Sequence, residues 1–152
     1  MAWQTRKKLA AISARLKKTY GSPRLGNVRE PFGELLYILL SSQTHEPNFK
    51  RTWANLKKSY PGWNGLAQAR IDSIRRAIAS GGLGNWKARL IKKLSRRVTE
   101  DLGSPRGLEK LRKAPDEEAE AYLSSLPGVK IKSARCVMTF WGSAVDNDVE
   151  ET

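Results

Sequence analysis

The sequence predicts an all-α protein, a compact multi-helix bundle. Three observations predict it. Apolar residues return every three or four positions through most of the chain, which is the period of a helix face. No window alternates with period two for long enough to make a strand. Gly and Pro clusters separate the periodic stretches by only a few residues, so consecutive helices pack as neighbours.

The first helix carries Leu9, Ile12, Leu16 and Tyr20 at helical spacing among Lys and Arg, and Gly21-Ser22-Pro23 ends it. Pro31 fits a first helical turn, and the stretch 34–42 (ELLYILLSS) is apolar almost all round, the mark of a central, covered helix. Pro47 opens a third helix with Phe49, Trp53, Leu56 and Tyr60 on one face, closed by Pro61-Gly62. Ile71, Ile74 and Ile78 mark a fourth, and Ala88, Ile91, Leu94 and Val98 a fifth. Leu108 and Leu111 belong to a short sixth. Asp116, after Pro115, is expected to cap a helix holding Ala119, Tyr122 and Leu123. The last helix runs from about Ile131 to Trp141. In domain terms, residues 1–22 form an amphipathic N-terminal helix, 23–143 the helical body and 144–152 a short acidic tail.

The charge narrows the function. The 152 residues hold 28 Lys and Arg against 15 Asp and Glu, a net charge of +13. Residues 1–99 carry 21 basic and 4 acidic side chains, whereas residues 100–152 carry 7 and 11. A basic surface built by the first two thirds points to nucleic acid before anionic membrane. The single cysteine, Cys136, excludes an internal disulfide and a four-cysteine zinc or iron–sulfur site. No apolar run is long enough to span a membrane, and the basic N-terminus lacks the apolar core of a secretory signal. An intracellular, cytoplasmic or nucleoid setting is the expectation, with no cofactor and no membrane partner. His45 has no spaced ligand partner and reads as structural or solvated. Trp86 reads as a core residue, with stacking on a base as the alternative.

Leu126 to Ala134 is the most informative stretch. It reads LPGVKIKSA between two helical segments. Pro and Gly force a tight turn that exposes backbone N–H groups where the next helix begins. The helix dipole there also favours an anion, so the turn suits a phosphate and reads no base. The alternative is a plain connection without a ligand.

LPGVKIKSA resembles the helix-hairpin-helix of the endonuclease III (HhH-GPD) superfamily of DNA glycosylases, whose pattern is close to LPGVGxKTA. Three more pieces follow the family's order: LLSSQT (39–44), GLGNWKARLI (82–91) and AVDNDV (144–149), the last similar to the family's VDTHV segment. Together they span about residues 30–149. The resemblance implies an HhH-GPD fold and a bifunctional glycosylase and abasic-site lyase acting in base excision repair on duplex DNA with damaged bases or abasic sites. It implies Lys132 as the amine that forms a Schiff base with the sugar. Nearby Lys130 and Arg135, with partial burial, are expected to lower the basicity of Lys132. Asp146 is the implied carboxylate for the developing positive charge. Gln43 and Leu83 are implied to fill the gap left by the flipped nucleotide. Leu126, Pro127, Gly128, Val129 and Lys130 form the implied DNA clamp.

The chain departs from the family in three places. Lys130 replaces the hairpin's second glycine, where positive φ is expected at a cost. Asp148 stands where VDTHV has His. The family's C-terminal segment and its iron–sulfur cysteines do not follow Val149 in this sequence, so the apolar face of the first helix loses its expected cover. Two other readings stand beside the enzyme: a non-catalytic helix-hairpin-helix DNA-binding module, and an unrelated basic helical protein that prefers RNA.

Overall fold

The computed structural model describes residues 2–22, 28, 30–82 and 84–142. Among these residues there is no strand. The chain forms α1 (Ala2–Tyr20), α2 (Pro31–Ser41), α3 (Glu46–Ser59), α4 (Ile71–Ala77), α5 (Gly84–Leu102), α6 (Asp116–Ser125) and α7 (Ile131–Gly142). Three 3-10 segments, Pro61–Trp63, Ala79–Gly81 and Pro105–Lys113, connect them. The sixth helix expected around Leu108 and Leu111 is the last of these. The cap expected from Asp116 is a position off: Pro115 stands at the N-cap and Asp116 is the first residue of α6.

α2 is the central helix. Phe32, Leu36 and Leu40 are fully or almost fully buried along it. α3, α5, α7 and the 105–113 segment all pack against it. Its start is fixed by Glu30, whose carboxylate accepts from the Phe32 and Gly33 amides at 2.9 and 2.7 Å and from Trp63 Nε1 at 2.7 Å. One side chain thus caps the helix and satisfies a buried indole. Glu34, also fully buried, takes the Val28 amide at 2.7 Å. That Glu is an exception to the apolar reading of this stretch, and the Val28 amide gives its buried carboxylate a donor.

α5 buries one stripe, Lys87, Ala88, Ile91, Leu94, Ser95 and Val98, and leaves Arg89, Lys93, Arg96 and Arg97 exposed. α6 and α7 pack as a pair through Leu123, Leu126, Ala134 and Val137. α1 stands apart from this body. Its apolar residues Trp3, Leu9, Ile12, Leu16 and Tyr20 are all more than half exposed. No helix is long and apolar enough to cross a membrane among the described residues.

Candidate nucleic-acid interface

The turn between α6 and α7 is built from both outer and inner residues. Leu126 and Val129 point into the core, so neither side chain is available to a ligand. The Val129 amide closes the turn on the Leu126 carbonyl at 3.1 Å. Gly128 takes φ +75° between them, and a Cβ there would lie 2.6 Å from a Leu90 methyl on α5. Glycine is therefore required twice, by the backbone and by close packing. Lys130 carries no positive φ: among the described non-glycine residues only Gln43 and Trp63 do. The strain expected at Lys130 is absent, because Gly128 alone supplies the left-handed step. Lys130 is exposed, and its carbonyl accepts the Ala134 amide at 2.9 Å, which puts it at the N-cap of α7. The first amides of α7 then face outward with no acceptor inside the helix, at the positive end of its dipole.

Lys132 lies in this first turn and is exposed, as is Ile131 beside it. The partial burial expected to lower its basicity is not present. The charge of Arg135 is turned away to Glu120, which accepts from Arg135 Nε at 2.6 Å. Lys132 is thus an accessible amine next to a phosphate-ready helix end.

The second turn of the interface joins α2 to α3. Gln43 is exposed at its apex with φ +55°. Beneath it lies Lys87 of α5, only 2% exposed. Its ammonium donates to the carbonyls of Leu40 and Ser42 at 3.0 and 2.8 Å and to Thr44 Oγ1 at 2.7 Å. Burial pushes this amine below the ordinary lysine value. The sequence reading missed Lys87, although the signal was there: the buried stripe of α5, extended one turn back from Ile91, lands on it.

α5 brings the two turns together. Lys87 sits under the Gln43 turn, and Leu90, about one helical turn further on, packs on Gly128. Trp86, which shares a face with Leu90 by its spacing, is 60% exposed rather than in the core. An indole has this exposure only where packing gives it nothing to cover. His45 is exposed at the N-cap of α3 with no capping hydrogen bond. Leu83 and Asp146 lie outside the described residues, as does the tail at 144–152. No group of three or more His, Cys, Asp or Glu is placed to hold a metal ion among the described residues.

Known proteins share both the sequence and the shape. No protein-family model matches the chain. Over 106 residues it is 40% identical to the putative DNA glycosylase At3g47830 of Arabidopsis thaliana, a match covering 70% of this chain and 36% of that protein. Over 75 residues it is 37% identical to protein ROS1C of Oryza sativa subsp. japonica and 36% identical to the transcriptional activator DEMETER of Arabidopsis thaliana. These matches cover 49% of this chain and 4% of either relative. The chain thus spans little more than a third, or less, of the length of the curated relatives it matches. Its fold superposes on endonuclease III in a trapped covalent DNA intermediate with a TM-score of 0.67 at 22% identity, over 90% of this chain and 60% of that one. A non-covalent endonuclease III–DNA complex gives 0.65 at 22% identity, over 88% and 58%. The chain is thus similar in sequence to a putative DNA glycosylase and shares the fold of endonuclease III.

Proposed function

We propose that this chain carries the body of a base-excision DNA glycosylase with abasic-site lyase activity through Lys132. The observation that carries the reading is the exposed Lys132 amine on the first turn of α7, directly behind a hairpin whose N–H groups suit a DNA phosphate. Its support in other proteins is the glycosylase name of one relative and the covalent DNA intermediate trapped in a protein of the same fold.

In this reading the hairpin amides and Lys130 hold a backbone phosphate, which places the duplex without reading its sequence. Gln43 and Leu83 occupy the space left when the nucleotide leaves the stack. The neutral Lys132 amine adds to C1′ of the sugar, and the base departs with the bonding electron pair and a proton. Loss of the amine proton and opening of the ring leave an imine between Lys132 and C1′. A base then removes the proton at C2′, the C3′–O bond breaks, and the 3′ phosphate leaves. Water hydrolyses the imine and frees Lys132. Asp146 supplies the carboxylate that steadies the positive charge at C1′. At a site already abasic, the aldehyde condenses directly with Lys132 and releases water.

The test is a duplex with one abasic site, incubated with the chain and then treated with borohydride. Hydride adds to the imine carbon and fixes a secondary-amine crosslink. The expected result is a covalent adduct that Lys132→Gln abolishes while binding persists. An adduct that survives the substitution overturns the role of Lys132. A second reading is a DNA clamp without chemistry, favoured by the fact that no described carboxylate hydrogen-bonds or ion-pairs with Lys132. It predicts salt-sensitive duplex binding and no adduct from the unaltered chain.

A further inference from the structure

We propose that Lys87 is the positioning residue for Gln43, and that its buried ammonium holds the α2–α3 turn in the shape that presents Gln43 to DNA. This rests on the reading above, in which Gln43 enters the duplex. The geometry is specific. The three N–H donors of the ammonium meet three oxygens, at 3.0, 2.8 and 2.7 Å, and none belongs to a carboxylate. Two are carbonyls at the C-terminal end of α2, groups that have no amide partner within a helix and stand at the negative end of its dipole. The helix end is the counter-charge.

The grip is on both sides of Gln43. Ser42 and Thr44, its two chain neighbours, each give an oxygen to Lys87. Thr44 Oγ1 also reaches the Gly81 carbonyl at 3.1 Å, which anchors the turn a second time, to the segment after α4. Gln43 itself takes positive φ, a conformation that a non-glycine residue keeps only when its surroundings dictate it. Lys87 is that surrounding. An apolar side chain of equal length would leave two carbonyls and a hydroxyl without their donor, and the turn would relax toward water. A surface arginine or lysine elsewhere on α5 adds affinity for any duplex. Lys87 is too buried to touch DNA, so its effect appears only through Gln43.

The experiment measures the affinity of the chain for an intact duplex and for the same duplex with one abasic site, in the unaltered protein, Gln43→Ala, Lys87→Met and the double variant. The unaltered chain is expected to prefer the abasic duplex, and Gln43→Ala to reduce that preference on the order of tenfold, the scale of losing one stacked contact. Lys87→Met is expected to lose the same preference while its affinity for intact duplex and its salt dependence stay unchanged. The double variant is expected to be no worse than either single one. Thr44→Val, which keeps the ammonium but removes one acceptor, is expected to lose part of the preference, and it decides the question if Lys87→Met does not fold. A preference kept in Lys87→Met, or in Thr44→Val where that variant decides, overturns the positioning role alone, as does an equal loss for both duplexes. A preference untouched by Gln43→Ala overturns both the role of Gln43 and that of Lys87.

Discussion

Gly128→Ala tests the hairpin most directly. Two costs add. An L-residue at φ +75° pays roughly 1–2 kcal/mol for the left-handed backbone. The new Cβ also lies 2.6, 2.8 and 3.0 Å from Leu90 Cδ2, Cδ1 and Cγ. Overpacking of that kind costs about 1–3 kcal/mol. The leucine tip can swing aside in part, so the sum falls at about 2–4 kcal/mol. Gly103→Ala supplies the control: φ is +82° there and a Cβ meets nothing within 4 Å, so only the backbone cost remains. Urea unfolding followed by tryptophan fluorescence reads both. Gly128→Ala should be the more destabilising, and Leu90→Ala in the same chain should recover part of the difference. Duplex affinity should fall with Gly128→Ala and hold with Gly103→Ala. Equal stability losses for the two alanines would refute the close packing of hairpin on α5.

Other consequences follow from burial and charge. Trp63→Ala, at 7% exposure with its indole bonded to Glu30, should cost roughly 3–5 kcal/mol in the same unfolding assay. Trp86→Ala should stay within about 0.5 kcal/mol while weakening duplex binding, because its side chain covers no core. Lys130→Ala should weaken binding to every duplex alike and flatten the plot of log affinity against log salt by about one unit, the mark of a phosphate contact. On the acid side, Glu46, Asp101 and Glu120 sit below the ordinary carboxylate range because hydrogen bonds from Lys50, Arg97 and Arg135 favour their charged forms. Their folded values are depressed, so their stabilisation is present above about pH 4 and is lost as pH falls through the folded values. Melting temperature should drop in that window, with Asp101→Asn showing a shallower drop.

Much of this was legible in the sequence, and the rest had physical reasons for hiding. The helical period located α2, α3, α5 and α7 because each buries a stripe at that period. The hairpin was legible because Pro127 and Gly128 dictate a turn whatever surrounds them. Period alone does not say which face a residue at the edge of a stripe takes. Trp86 and Lys87 are neighbours, and hydrophobicity ranks them in the wrong order: the tryptophan is outside and the lysine inside. The reason is tertiary. The end of α2 offers oxygens to whatever lies under it, and an ammonium answers that need where an indole does not. Likewise, strain expected at Lys130 came from matching a family pattern, whereas the backbone needs only one left-handed step in that turn.

The two lysines also separate the two jobs a lysine does in such a protein. A lowered basicity inside a cleft is the usual mark of a nucleophile, and by that mark Lys87 would be chosen over Lys132. In the proposed reading, geometry keeps Lys87 out of that role. The three protons of Lys87 are all committed, and the amine is 2% exposed, so no sugar carbon reaches it. Lys132 has the access but not the burial. In the proposed mechanism the duplex supplies that burial: docking on the hairpin covers the first turn of α7 and removes water from around Lys132. Borohydride trapping at saturating abasic duplex should therefore persist in Lys87→Met and vanish in Lys132→Gln. Trapping that vanished in Lys87→Met, with the duplex still saturating, would move the chemistry to the buried amine and refute this division.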